Sequence, residues 1–385
     1  LTLNGLTVQN YRHSAFTWVG TQNGCSITVT NCAFIGNQAT GNGGAFSVSD
    51  VTSFDINSNV QFINNIAHGT EVSPGSPIFG FGGAVYLGCS KNSQHCSLQI
   101  NDKNVQFINN IAQSVGNGVT ANSRGGAVYV HNEYPDVSVN FAENVTFVGN
   151  KAIANVENSG IGINPVSISQ GGAIYILNEA NGARVSVSIQ TNSQFLNNIA
   201  TATASTDLVE TQSHGGAIYF ENSGDFATLN IKIHESATFL GNNVTGLSRS
   251  TPAQSYGGAI YFLNSGNRIY SAALNIKSNA LFAMNSALGV ADNANSEANG
   301  YGGAIYVTNT GSTLQEIAFS FGQNTQFRNN TAIGILKDDG VNAFGYGGAM
   351  YVVNDVKSAS IILSFGDDTE FSYNSAVGLA QSDRS

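Results

Sequence analysis

The triplet GGA begins at residues 43, 82, 125, 171, 215, 257, 302 and 347 of this 385-residue chain, at spacings of 39 to 46. Between the copies runs a second motif, F-x-x-N-x-A. It starts at Phe34, Phe62, Phe107, Phe147, Phe195, Phe239, Phe282, Phe327 and Phe371, with Val244 its one departure from alanine. Two interleaved motifs held in register mean a repeat architecture, in which each unit buries its apolar face against its neighbours. Four residues after the first glycine comes tyrosine in seven of eight copies, and three residues later asparagine in six. Y-x-x-N thus echoes F-x-x-N. The echo predicts a unit of ~22 residues, one coil of a parallel β-solenoid.

Each letter suits such a coil. Coils stack ~4.8 Å apart, so like residues fall over one another. Phe and Tyr rings fill the interior by stacking. Asn amides donate and accept along a column, and Asn tolerates left-handed backbone at a corner. The expected members of one continuous ladder are Phe239, Asn242, Tyr261, Asn264, Phe282, Asn285, Tyr306 and Asn309. Gly-Gly permits positive φ and close approach of coils. Segments such as LNIKI (229–233) and VSVSI (185–189) alternate apolar and polar residues, as half-buried strands do. The predicted fold is all-β, a right-handed parallel β-helix forming a single domain over residues 1–385, regular from 25 to 376. It would hold ~17–18 coils over ~80–90 Å.

Composition narrows function. Charged residues are 10% of the chain, and 14 Lys+Arg against 24 Asp+Glu leave a net charge of −10. Nucleic-acid binding needs clustered cations, and the chain has no such cluster, so no nucleic-acid partner is expected. No apolar run reaches the ~18–20 residues of a membrane helix, so no direct membrane span is expected either. The low charge leaves little repulsion against lateral or end-to-end packing.

The four cysteines form two C-x6-C pairs. CSKNSQHC is polar and turn-like and predicts a local Cys89–Cys96 disulfide. CSITVTNC contains an alternating strand, which would hold Cys25 and Cys32 ~20 Å apart, beyond disulfide reach. An even, small cysteine count points to an oxidising compartment. Asn144, Asn243 and Asn329 head N-x-[ST] sequons and are the glycosylation candidates.

The alternating F-x-x-N and GGA[ILV] motifs resemble those of the chlamydial polymorphic membrane proteins and similar repeat regions of secreted surface proteins. The resemblance covers about residues 25 to 376. It implies a right-handed β-helix displayed outside a cell, often as an autotransporter passenger acting as an adhesin. This chain departs from the pattern after Phe62, where the gap between the motifs widens to 18–24 residues. Within these 385 residues no membrane barrel is expected after the repeats.

The widened gaps, such as TATASTDLVETQSH (201–214) and IGILKDDGVNAFGY (333–346), leave after the same alanine and return at the same Gly-Gly. They are expected to form a ridge of variable loops along one edge, the natural place for a glycan or receptor to bind. Catalysis is not expected, because carboxylates are scattered and no Ser/His/Asp series or phosphate-binding motif occurs. Asp338–Asp339 and Asp367–Asp368 read as surface turns, and His214 as a tolerated loop residue. No cofactor and no metal set is expected. The chain begins at Leu1 with a strand-like segment and closes without a ninth GGA, so any targeting segment lies outside it. Neither end carries an evident cap, so the expectation is either a segment of a longer solenoid or head-to-tail association with another copy, because open strand edges template pairing. The expected role is structural and extracellular: a building segment or subunit of a cell-surface fibre, with copies of itself or other surface-structure proteins as partners. The alternative is an adhesin passenger, and a carbohydrate-active β-helix enzyme is third.

Overall fold

The computed structural model describes all residues except 21–23, 72, 74, 91–94, 134–135, 159–163, 268, 294–295, 312–315, 338–341, 357–359 and 381–385. Among the described residues there is no helix; 45 strands form five parallel sheets. The chain visits the sheets in a fixed order, as residues 218–256 show. Ile218–Asn222 lies in a tyrosine sheet, Thr228–Ile233 in an alternating sheet and Thr238–Leu240 in a phenylalanine sheet. Asn243–Ser248 and Ala253–Tyr256 then run out and back as a two-layered fin. Each strand pairs in register with its counterpart one circuit away, for instance Phe239 with Phe195 and Phe282. The fold is a parallel β-solenoid.

Its coil is twice the expected size. Successive ladder asparagines lie 28 residues apart once, from Asn37 to Asn65, and thereafter 40 to 48 apart. The alternating and phenylalanine sheets hold ten strands each, so ten coils span ~43 Å at ~4.8 Å per coil. The expectation of ~17–18 coils of ~22 residues is therefore corrected. F-x-x-N and Y-x-x-N are the same device used on two walls of one coil, and an echo between them does not make the residues stack.

The walls face different ways. In the tyrosine sheet Ile218 and Phe220 point into the body, where they meet Leu229, Ile231, Ile233 and Phe239 in one apolar core. Tyr219, alternating with them, points out and belongs to a separate aromatic cluster. Phe34 through Phe371 form one file with centroids 4.6–5.3 Å apart. Tyr86 through Tyr351 form another, at 4.6–5.8 Å. Phe239 and Phe282 thus share a column that Tyr261 and Tyr306 do not.

The asparagine after a Phe strand is fully used where a coil lies on either side. Asn242 Nδ2 donates to Asn285 Oδ1 at 3.0 Å and to the Phe195 carbonyl at 2.9 Å. Its own Oδ1 accepts from Asn198 N and Nδ2 at 3.1 and 3.0 Å. An amide has two donors and a two-lone-pair acceptor, so this buried polar column costs nothing in lost hydrogen bonds. The second ladder is simpler: Asn222 Nδ2 donates to Asn264 Oδ1 at 2.8 Å, and Asn264 to Asn309 at 2.9 Å.

The left-handed corners are not at these ladder asparagines. Positive φ falls two residues after every motif Phe, at Gly36, Asn64, Asn109, Gly149, Asn197, Gly241, Met284, Asn329 and Tyr373. It falls again three residues before each one, from Asn31 to Asp368. Asn and Gly dominate the first position and Asn the second, because they enter this region at least cost. Asp367–Asp368 does lie in a turn, with Asp368 the left-handed corner of its coil. Asp338–Asp339 lies outside the described residues.

Apart from the turns between their strands, the described residues of the widened gaps are not loops. They are the fin strands, among them Ile111–Asn117 and Ala121–Arg124, Ile199–Ala204 and Glu210–His214, and Thr331–Leu336 and Ala343–Tyr346. Their alternation of Ala, Thr and Ser is weakly apolar, which hid a strand period from the sequence. Inside the fin, Ala and Gly face Ser. Ser213 Oγ donates to the Thr245 carbonyl and Ser255 Oγ to the Leu288 carbonyl, both at 2.7 Å. The fin then rejoins the body through Gly-Gly. The first glycine has φ between +56° and +64° in all eight copies, and the second lies against the next coil. A Cβ on Gly258 would sit 2.0 Å from the Gly303 carbonyl oxygen.

Candidate functional site

A groove runs along the solenoid where the returning fin sheet meets the outward face of the tyrosine sheet. Its floor is the tyrosine file. Its far wall is built by the residue just before each Gly-Gly from the second copy on: Phe81, Arg124, Gln170, His214, Tyr256, Tyr301 and Tyr346. That second file went unnoticed in the sequence because it is mixed, although an aromatic residue precedes GGA at Phe81, Tyr256, Tyr301 and Tyr346. Tyr256, Tyr301 and Tyr346 stack at 4.9 and 5.0 Å with rings 6° from parallel. Toward the N-terminal end the file turns polar, with Arg124 Nε donating to Gln170 Oε1 at 2.9 Å.

His214 belongs to this file and is no loop residue. It ends the strand Glu210–His214 and is buried. Its ring lies 5.1 Å from Tyr256 and 4.9 Å from Tyr261. Burial pushes its pKa down to about 3, opposed by a backbone hydrogen bond at Ser169. Tyr219 and Tyr261 are pushed well above the usual tyrosine range, first by burial and then by nearby Glu221 and neighbouring tyrosines. Both kinds of group therefore hold one protonation state through the neutral range. That is the opposite of the tuning an acid–base pair needs.

The open part of the groove has a volume of about 360 Å³, with Gln212, Gln254, Glu221 and Thr308 along its rim. Tyr256 Oη donates to Gln254 Oε1 at 2.8 Å, Gln212 Nε2 to Glu210 Oε1 at 2.8 Å, and Tyr175 Oη to Glu221 Oε2. Because the rings stack along the axis, their faces cover one another and only edges and hydroxyls reach the groove. A ligand here meets hydrogen-bonding groups over an aromatic floor rather than a free ring face. A second recess, of about 510 Å³, lies at the N-terminal end beside Tyr11, Arg12, Gln38 and His68.

The remaining sequence expectations separate clearly. Cys89 and Cys96 are bridged, with Cα atoms 5.9 Å apart, and close a local loop. Cys25 and Cys32 flank the strand Ser26–Thr30 and are unbridged. Asn144 and Asn329 lie exposed at left-handed corners beside the phenylalanine strands. Asn243 is half-buried at the start of a fin strand, paired with Ile199 and Ser286, and its Oδ1 is buried. It is a poor acceptor for a bulky glycan. Comparison of the chain with protein-family models, with curated proteins and with solved structures finds no match, so the functional reading rests on this geometry.

Proposed function

We propose that this solenoid is a non-enzymatic structural segment of an extracellular surface fibre or appendage, extended by end-on contact with a second copy. The observation that carries the reading is the in-register stacking of the coils, which leaves an end-on surface that a further coil, of this chain or of a second copy, would cover. Phe321 and Phe327 are 3% and 0% exposed, whereas their counterparts one coil on, Phe365 and Phe371, are 44% and 49% exposed. Asn374 keeps the ladder geometry, donating to the Phe327 carbonyl at 2.8 Å, and turns its remaining donors toward the position of a further coil. Leu1, Leu6 and Val19 are exposed at the other end.

Charge supports the pairing. Arg12 is the one charged side chain before Asp50, whereas residues 355–370 carry Asp355, Asp367, Asp368 and Glu370 against Lys357, with Glu370 already paired to Arg328 at 2.6 Å, so the last coil keeps a net negative charge. Opposite signs favour a head-to-tail approach. The Cys89–Cys96 bridge supports an oxidising, extracellular setting. Sedimentation velocity over a concentration series, with electron microscopy of the same samples, tests the reading. Chain-length-dependent rods that are lost in Phe371→Glu support it; uniform monomers at every concentration remove it.

The groove keeps a second reading in view, an adhesin passenger holding a glycan or receptor through the rim of Gln212, Gln254 and Glu221. Glycan-array binding abolished by Gln254→Ala would favour it.

A further inference from the structure

Outside the groove, the tyrosine sheet ends in a cluster that brings a histidine and two carboxylates together. His131 lies in the strand Val128–Asn132. Glu133 and Glu179 directly follow the ladder asparagines Asn132 and Asn178 of adjacent coils. The Glu179 amide donates to the Asn132 carbonyl at 2.7 Å, so the two carboxylates sit one coil apart on the same edge. Like charges in that relation repel. His131 lies between them, with Nε2 2.8 Å from Glu179 Oε2 and Nδ1 3.7 Å from Glu133 Oε1.

Three further features build the site. One ligand-type atom from each residue lies within 4.8 Å of the others. The imidazole is held by the Tyr129 ring, 5.9 Å away and 17° from parallel. Opposite His131 in register stands Gly88, and its missing side chain leaves a recess of about 110 Å³ bounded by Asp50, Tyr86 and Ser90.

We propose that His131, Glu133 and Glu179 bind one divalent transition-metal ion, with zinc as the best-fitting probe, and that the ion staples two adjacent coils beside the Cys89–Cys96 bridge. An imidazole nitrogen with two carboxylate oxygens makes a three-ligand set that water completes, at about 2.1 Å per bond. The glutamate side chains are 52% and 49% exposed, so rotation closes the spacing without moving backbone. The imidazole disfavours calcium and magnesium, which take oxygen ligands. A bound dication also balances the charge of the two carboxylates.

Isothermal titration of the full chain with zinc chloride at neutral pH tests this. The expected result is one saturable site, weakened by about 30-fold or more in His131→Ala and in the Glu133→Gln/Glu179→Gln pair, with calcium chloride failing to compete. Circular dichroism checks that both variants remain folded. Absence of saturable zinc binding overturns the proposal. So does unchanged affinity in His131→Ala, which would place the ion on other histidines, or calcium binding as tight as zinc.

Discussion

The body and the fin of this solenoid are built from the same strands in the same register, yet their interiors obey opposite rules. The body separates its three walls with large apolar side chains, such as Phe239, Ile231 and Phe220. Its stability comes from apolar area removed from water and from ring stacking. The fin holds mostly Ala, Gly and Ser, with a few larger residues such as Val156, Val244 and Leu336 buried among them. A Cβ added at Gly334 would meet the Ala298 carbonyl oxygen at 2.0 Å and the Phe344 nitrogen at 2.6 Å. There the two sheets lie backbone to backbone, and serine hydroxyls bond across the gap. One region tolerates lost volume poorly, and the other tolerates added volume poorly.

Gly334→Val breaks the comparison from the fin side and carries the largest expected effect. Its backbone lies outside the positive-φ region, so the change is purely steric. Because backbone atoms on two strands must move, the loss is about 4 kcal/mol or more. Urea titration measures it, and a loss under ~1 kcal/mol would mean the fin sheets part easily.

From the body side, Phe239→Ala should cost about 4 kcal/mol by cavity formation in a file of stacked rings. An equal cost for Ala202→Gly inside the fin would remove the distinction between the regions.

The ladders sharpen the contrast at the corners. Asn242→Ala leaves Asn198 N and Nδ2 without their acceptor and should cost about 3 kcal/mol. Asn264→Ala, in the ladder with single links between coils, should cost about half as much. Equal losses would refute the distinction between the two columns.

His214 gives the smallest effect near neutrality, and it lies where body and fin touch. The folded protein holds it neutral, with its pKa pushed to about 3 by burial, whereas the unfolded chain takes up a proton near pH 6.5. A depressed folded value means this stability is complete above pH 6.5 and is lost as pH falls toward 3. The slope is ~1.4 kcal/mol per pH unit. Thermal melts between pH 7 and 5 should show a decline that His214→Gln removes. A parallel decline in the variant would assign the effect to other groups.

Much of the corner chemistry was legible in the chain. F-x-x-N announces a ring column and an amide ladder, and the Gly pair announces its two jobs, positive φ at the first position and zero volume at the second. The repeating Asn three residues before Phe, at Asn31, Asn59, Asn104 and onward, was equally visible and marks the other corner. Met284 and Tyr373 hold left-handed backbone where Asn or Gly stands elsewhere, and no local pattern at those two residues foretells it. The fin was missed because Ala, Thr and Ser alternate with too little difference in polarity to show a period of two.

The sequence by itself determined that like residues would stack, since only a repeating coil puts nine Phe-x-x-Asn units in equivalent places. It supplied most of the corner residues too, because Gly and Asn accept left-handed backbone, but the corners fall beside the ladder asparagines and not on them as expected. Which equivalents lie over one another was decided by the tertiary structure alone. A 22-residue and a 44-residue circuit satisfy the same local preferences, and only inter-coil hydrogen bonding and the outward turn of Tyr219 separate them. The meeting of His131 with Glu179, 48 residues away, is likewise a product of coil length, because register along the axis sets which charges become neighbours.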